Sequence, residues 1–166
     1  MSQSFPLAPM TRPMTALTAG LLAMPVILLG LAQASPLAVS MGSTAGLLMV
    51  LFVAIWLVAR PARYDVGEDG ITMVFPVWRR TVPWTAVRAA RTFAGDAFTR
   101  EVGWGMRVGA GGLFGSFGWL VTSIGTLEMY VSRRSDLVLV ECEGRRHLLV
   151  SPSDAQAFAT AVRRHL

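Results

Sequence analysis

The sequence predicts an α+β protein: an N-terminal transmembrane helical hairpin followed by a small antiparallel partial barrel that a C-terminal helix closes. Three observations lead there. Two long apolar blocks, residues 14–34 and 43–59, carry no charged side chain. From Arg63 onward the apolar pattern shortens to alternating runs separated by Asp-Gly, Pro and Glu-Gly turns, the signature of strands. Residues 151–166 return to helical spacing behind a set of helix-start residues.

The hairpin comes first. At about 1.5 Å per residue the first block spans roughly 31 Å and the second roughly 26 Å, against a hydrocarbon core of about 30 Å. Residues 37–41 are apolar enough to lengthen the second. Pro25 and Gly30 interrupt the first, as membrane helices tolerate. Residues 35–42 hold Pro36 and no charge, and read as a tight turn on the far side. Arg12 precedes the first block, Arg60 and Arg63 follow the second, and the turn has no arginine. The positive-inside rule then gives a multi-pass protein of the inner (cytoplasmic) membrane, with residues 1–13 and 63–166 in the cytoplasm. Ala32-Gln33-Ala34 before Ser35 also fits a signal-peptide cleavage site; on that reading the second block anchors the chain and the barrel keeps its side. Gly20, Ala23, Gly42 and Gly46 offer small faces through which two hairpins can pack into a homo-oligomer.

All 15 basic residues are arginine, and the chain has neither lysine nor asparagine. That excludes a P-loop lysine, a lysine Schiff base and N-glycosylation. From residue 61 on, 13 arginines face ten acids, a mild excess without the clustered basic face that nucleic-acid binding requires. Cys142 is alone, so no intrachain disulfide forms, which suits a reducing compartment.

Residues 1–13, with Pro6, Pro9 and Pro13, read as a disordered lead. Residues 64–66, the turn Glu68-Asp69-Gly70 and residues 71–75 form strand, turn and strand. Residues 77–82 and 87–92 are further strands. Residues 93–118 read as irregular: eight glycines lie between Gly103 and Gly125, interleaved with Trp104, Met106, Leu113, Phe114, Phe117 and Trp119. Strands resume at 119–122 and 126–132. A two-residue turn at Glu143-Gly144 joins strands 137–142 and 145–150, setting Glu141 opposite Arg146 and Leu139 opposite Leu148. In the closing helix Ser151 is the expected N-cap, Pro152 the first position and Asp154 the third. Ala155, Phe158, Ala159, Val162 and Leu166 share its apolar face.

These residues resemble the bacterial pleckstrin-homology-like (PH-like) domains, in particular those attached to a membrane hairpin. The matching features, in order, are Asp69-Gly70-Ile71, Val82-Pro83-Trp84 with Val87, Arg91-Thr92, Gly115-Ser116-Phe117-Gly118, Gly125-Thr126-Leu127 and Tyr130-Val131-Ser132. Ser151-Pro152 with Asp154 and Phe158 complete the set. The resemblance implies seven strands in two antiparallel sheets with the C-terminal helix capping one end. It implies a recognition scaffold rather than chemistry. The chain lacks the lysine-rich first hairpin with which eukaryotic relatives grip inositol phosphates, which argues against that ligand.

No catalytic, cofactor or metal site emerges. Gly109-Ala110-Gly111-Gly112-Leu113-Phe114-Gly115 departs from the dinucleotide pattern, since Phe114 stands where the last glycine belongs. Cys142 and His147 fall on adjacent strands, but two ligands do not make a zinc site. They read as a core thiol and a surface histidine. The acids are mostly single residues in turns, and the hairpin holds no ionisable group at depth, which weighs against a membrane-embedded enzyme or a pore. The candidate contact residues are the aromatic and apolar Leu113, Phe114, Phe117 and Trp119, together with Arg133 and Arg134, which a turn can present outward together. The expected function is a non-catalytic binding or scaffold module that engages a membrane protein partner or the anionic lipid surface. The alternative is an accessory subunit of a membrane transport or enzyme complex.

Overall fold

A computed structural model describes residues 2–33, 36–103 and 105–166. Trp104, and the Ala34-Ser35 end of the small-residue motif, lie outside the described residues. Two helices stand at the N-terminal end, α1 (Arg12–Ala32) and α2 (Ala38–Ala54), the latter continued by a π-helical turn, Ile55–Ala59. Both are long and apolar enough to cross a membrane by length and composition. Their apolar side chains point outward: Val26, Ile27, Val39, Leu47 and Val50 are each more than half exposed. Around Gly20, Gly42 and Gly46 no neighbour comes within 4 Å of where a Cβ would sit.

The rest is sheet. β1 (Gln3–Pro6), β2 (Arg63–Val66), β3 (Gly70–Val74) and β4 (Arg79–Pro83) form a four-stranded antiparallel sheet in that order. A 3₁₀ turn, Trp84–Ala86, leads into β5 (Val87–Phe93), then α3 (Ala97–Val102), β6 (Met106–Gly111), β7 (Ser116–Thr122), β8 (Gly125–Val131), β9 (Leu137–Cys142), β10 (Leu148–Val150) and α4 (Ala155–Arg163). The second sheet runs β5-β9-β10-β8-β7-β6, and within it β10 lies parallel to β8. Where the sequence leads to seven antiparallel strands, the described residues thus hold ten, one pair of them parallel.

The main core lies between the sheets and under α4. Tyr64, Ile71 and Met73 from one sheet meet Val138, Val140, Leu148 and Val150 from the other. α4 inserts Phe158, whose buried ring packs edge-on against Tyr64 at 5.9 Å and Phe5 at 5.4 Å. A second cluster covers the opposite face of the six-stranded sheet, where only the short α3 supplies Phe98 and Val102.

Several sequence expectations are corrected. The lead is not disordered. β1 pairs with β2 in the register Phe5↔Tyr64, Leu7 bridges Pro152, and the Ala8 N–H donates to the Ser151 carbonyl at 2.9 Å. Pro6 is tolerated because β1 is an edge strand. The hairpin α1–α2 is therefore an insertion between two neighbouring strands. The glycine-rich stretch is not irregular either, since it contains α3, β6 and the first half of β7. The Leu137–Val150 hairpin closes through a wider turn, so Leu149, not Leu148, faces Leu139. Glu141 then pairs with Arg91 at 3.7 Å, and the Arg146 guanidinium lies over the Trp119 ring at 4.7 Å. α4 is capped by Asp154, which accepts from the Ala157 N–H at 2.9 Å, while Ser151 is buried and its Oγ accepts from the Ser132 N–H. Leu166 lies past the end of α4 and is exposed.

Candidate binding site

Among the described residues, two hydrogen-bonded contacts fix the sheets to the helices. The first is the tip of the β6–β7 hairpin, whose two-residue turn, Leu113-Phe114, is closed by the Gly112 N–H donating to the Gly115 carbonyl at 3.0 Å. Phe114 holds φ 61, a left-handed conformation that costs a bulky residue free energy. A partner offsets it: Thr18 of α1 accepts from the Phe114 N–H at 3.1 Å and donates to the Gly112 carbonyl at 3.2 Å. Thr18 is buried, and at about 1.5 Å rise per residue it lies roughly 9 Å along α1 from Arg12. The second contact is Trp78, stacked on Phe75 at 4.2 Å, whose indole N–H donates to the Val58 carbonyl at 2.9 Å. Val58 belongs to the π-helical turn, where the regular ladder is interrupted.

Behind the tip, on the face of the six-stranded sheet under α3, lies a cleft of about 410 Å³. Its floor is Leu120, Met129, Val131 and Leu149, its wall Phe98 and Thr99, and its polar rim Arg107, Ser116, Arg133 and Arg134. Arg107 reaches it from β6 and donates from Nη1 to Ser116 Oγ at 3.0 Å. Partial burial, with the positive Arg134 nearby, pulls the Arg107 guanidinium below its ordinary pKa. Among the described residues no carboxylate lines the cleft.

The six candidate contact residues divide. Leu113 and Phe117 are buried and unavailable as surface groups. Phe114 is half-buried with its backbone on α1. Trp119 is 47% exposed but carries Arg146 on its ring. Arg133 and Arg134 do not both face outward: the Arg133 side chain is 17% exposed, with Nη2 donating to the Asp136 and Pro152 carbonyls, whereas Arg134 is exposed. Arg133 is folded in because the backbone of α4's approach offers it acceptors that a free turn lacks. Both arginines nonetheless meet Arg107 at one cleft.

Sequence reasoning missed Thr18, Trp78 and Arg107. Each left a signal. Thr18 is a hydroxyl in an apolar helix, and Trp78 lies two residues past Pro76, at the start of the run 77–82. Arg107 is the sole charged residue between Glu101 and Glu128.

The single thiol is a core group. Cys142 is buried, burial pushes its pKa up, and its N–H donates to His147 Nδ1 at 3.0 Å. Among the described residues no three His, Cys, Asp or Glu side chains gather as metal ligands would. A partly buried ion pair is a structural strut, Arg80 Nη1 to Glu128 Oε2 at 2.7 Å, joining the two sheets.

Residues 63–166 match the family model described as Bacterial PH domain. No curated protein and no solved structure matches the chain.

Proposed function

We propose, because this chain belongs to the bacterial PH domain family, that it is a non-catalytic binding module which the α1–α2 hairpin holds against a membrane, its β6–β7 end meeting the anionic lipid surface. The observation that carries this reading is the packing of the Leu113-Phe114 turn on Thr18, well inside an apolar helix. With α1 in a bilayer, that depth puts the turn at the headgroup boundary, where aromatic side chains are favoured. Arg12, Arg60, Arg63 and Arg134 then lie on the side where positive charge attracts anionic lipid, at about 1 kcal/mol each near the surface. The same arginines argue for a cytoplasmic orientation in the inner membrane.

The test is accessibility of single cysteines in a Cys142→Ala background. A membrane-impermeant maleimide added to intact cells is expected to label Pro36→Cys, in the far turn, and to spare Asp69→Cys until the membrane is opened. Labelling of Asp69→Cys from outside reverses the orientation, and labelling of Pro36→Cys only after permeabilisation, together with Asp69→Cys, removes the hairpin from the membrane.

A second reading, docking on a membrane protein as part of a transport or enzyme complex, has its own support. β6 is an edge strand, and on its outer face and that of β7 Met106, Val108, Trp119 and Val121 are 39–68% exposed. Such an edge accepts an added strand. Photocrosslinking from Val108 in membranes tests it, with an adduct to another membrane protein expected.

A further inference from the structure

We propose that the cleft under α3 binds one anionic, single-chain amphiphile drawn from the bilayer, its head on Arg107 and Arg134 and its chain over Leu120, Met129 and Leu149. The proposal rests on the membrane-facing reading above and assigns that face a ligand.

Charge supplies the first argument. Three arginines converge on the cleft rim; among the described residues no carboxylate lines it, and Asp136, outside the lining, reaches Arg133 alone of the three, at 4.0 Å. Arg107 spends one donor on a neutral hydroxyl, Ser116 Oγ, and the Arg133 Nε is buried with no acceptor. Arg107 and Arg134, which no carboxylate among the described residues neutralises, repel one another, and a bound anion removes that repulsion while accepting several charge-assisted hydrogen bonds. Burial first, and the positive Arg134 beside it second, lower the basicity of Arg107.

Shape supplies the second. Behind the arginines the floor is purely aliphatic and sulfur-bearing, so a small inorganic anion would leave most of the cleft unfilled. A volume of about 410 Å³ stands toward the small end of ligand pockets. It is too little for a two-chain phospholipid to enter whole, and it suits a single chain.

Position supplies the third. Ser116, under Arg107, directly follows the turn that packs on α1. Arg133 and Arg134 follow Ser132, whose hydroxyl donates to the Ala8 carbonyl just before α1 begins. The charged rim therefore sits where the helices leave the sheets, and the apolar floor lies farther from that junction. A lipid leaving the bilayer would pass its tail over the floor and keep its head at the rim.

The experiment uses the full chain in zwitterionic phosphatidylcholine nanodiscs, with bound lipid counted by native mass spectrometry. The probes are lysophosphatidic acid, lysophosphatidylcholine and inorganic phosphate. One lysophosphatidic acid per chain is expected, saturable, with lysophosphatidylcholine and phosphate at least tenfold weaker. Arg134→Glu, at an exposed position, and Arg107→Gln should each weaken lysophosphatidic acid at least tenfold with an unchanged melting temperature. Equal binding of lysophosphatidylcholine overturns the charge recognition, and equal binding of phosphate overturns the amphiphile. Undiminished binding in the folded Arg134→Glu protein overturns the site. Because the discs fix no orientation, this result is independent of the cysteine labelling: a reversed topology would leave cleft binding measurable, and an empty cleft would leave the topology standing.

Discussion

At Phe158 a single ring joins three parts of the molecule, closing α4 onto Tyr64 of β2 and Phe5 of β1. Phe158→Ala should lower unfolding free energy by about 3–5 kcal/mol, as large-to-small changes in filled cores do, read by denaturant titration in detergent. Thr18 is the residue on which the tip depends. Thr18→Val keeps the shape but leaves the Phe114 N–H and the Gly112 carbonyl unpaired, a loss of about 1–3 kcal/mol that hydrogen exchange at residues 112–115 should report as faster opening. Tyr64 gives the pH dependence. Its buried hydroxyl donates to the Tyr130 carbonyl at 2.8 Å, and burial raises its pKa well above the ordinary phenol value. The native chain therefore keeps a proton that the unfolded chain gives up. The contribution is whole below pH about 10 and shrinks as pH climbs through the raised native value. Denaturation midpoints should fall above pH about 10, and fall less in Tyr64→Phe.

At the scale of elements, what could be read in advance was what local chemistry decides. The Asp69-Gly70 turn and the alternation of residues 63–74 gave β2 and β3 their places, and Phe158, Ala159 and Val162 proclaimed the buried face of α4. The hairpin turn at Glu143-Gly144 went astray by one position, because His147 caps the Cys142 N–H and widens the turn, and a one-residue slip exchanges the faces of a strand. The glycine-rich stretch misled for a different reason. Gly109 and Gly118 stand opposite one another at φ 138 and 127, and a Cβ on either would meet the other strand's backbone. Here glycine is the condition for pairing, and only the partner strand reveals it. Gly118→Ala should unpair β6 from β7 and release the tip from α1, with amide protection lost across Met106–Gly111 and Ser116–Thr122 while the Tyr64 core keeps its own.

At the scale of the whole molecule, the candidate site was only partly legible. Arg133 and Arg134 were visible as a pair, but their meeting with Arg107 depends on β6 joining the sheet, and no local pattern carries that. The insertion of the hairpin between β1 and β2 was equally hidden, because pairing across residues 7–62 leaves no periodic trace. It yields a sharp expectation. Replacing residues 8–61 by a short Gly-containing turn makes β1–β2 an ordinary hairpin. That shortened chain should be soluble and monomeric with sheet dichroism intact. A chain beginning at Arg63 loses Phe5 from the core and bares the edge of β2, and should be less stable and prone to associate, as size-exclusion chromatography would show.

The same insertion orders events during synthesis. β1 leaves the ribosome first and has nothing to pair with until residues 63–66 emerge. Closing so long a gap in a slack chain costs on the order of 3–4 kcal/mol beyond the fixed term. On the proposed membrane reading, two helices already seated side by side in lipid would deliver both ends to one place and remove that search. Membrane insertion would then be a folding step for the sheets, and a lesion deep in α1 should surface as a barrel that never closes.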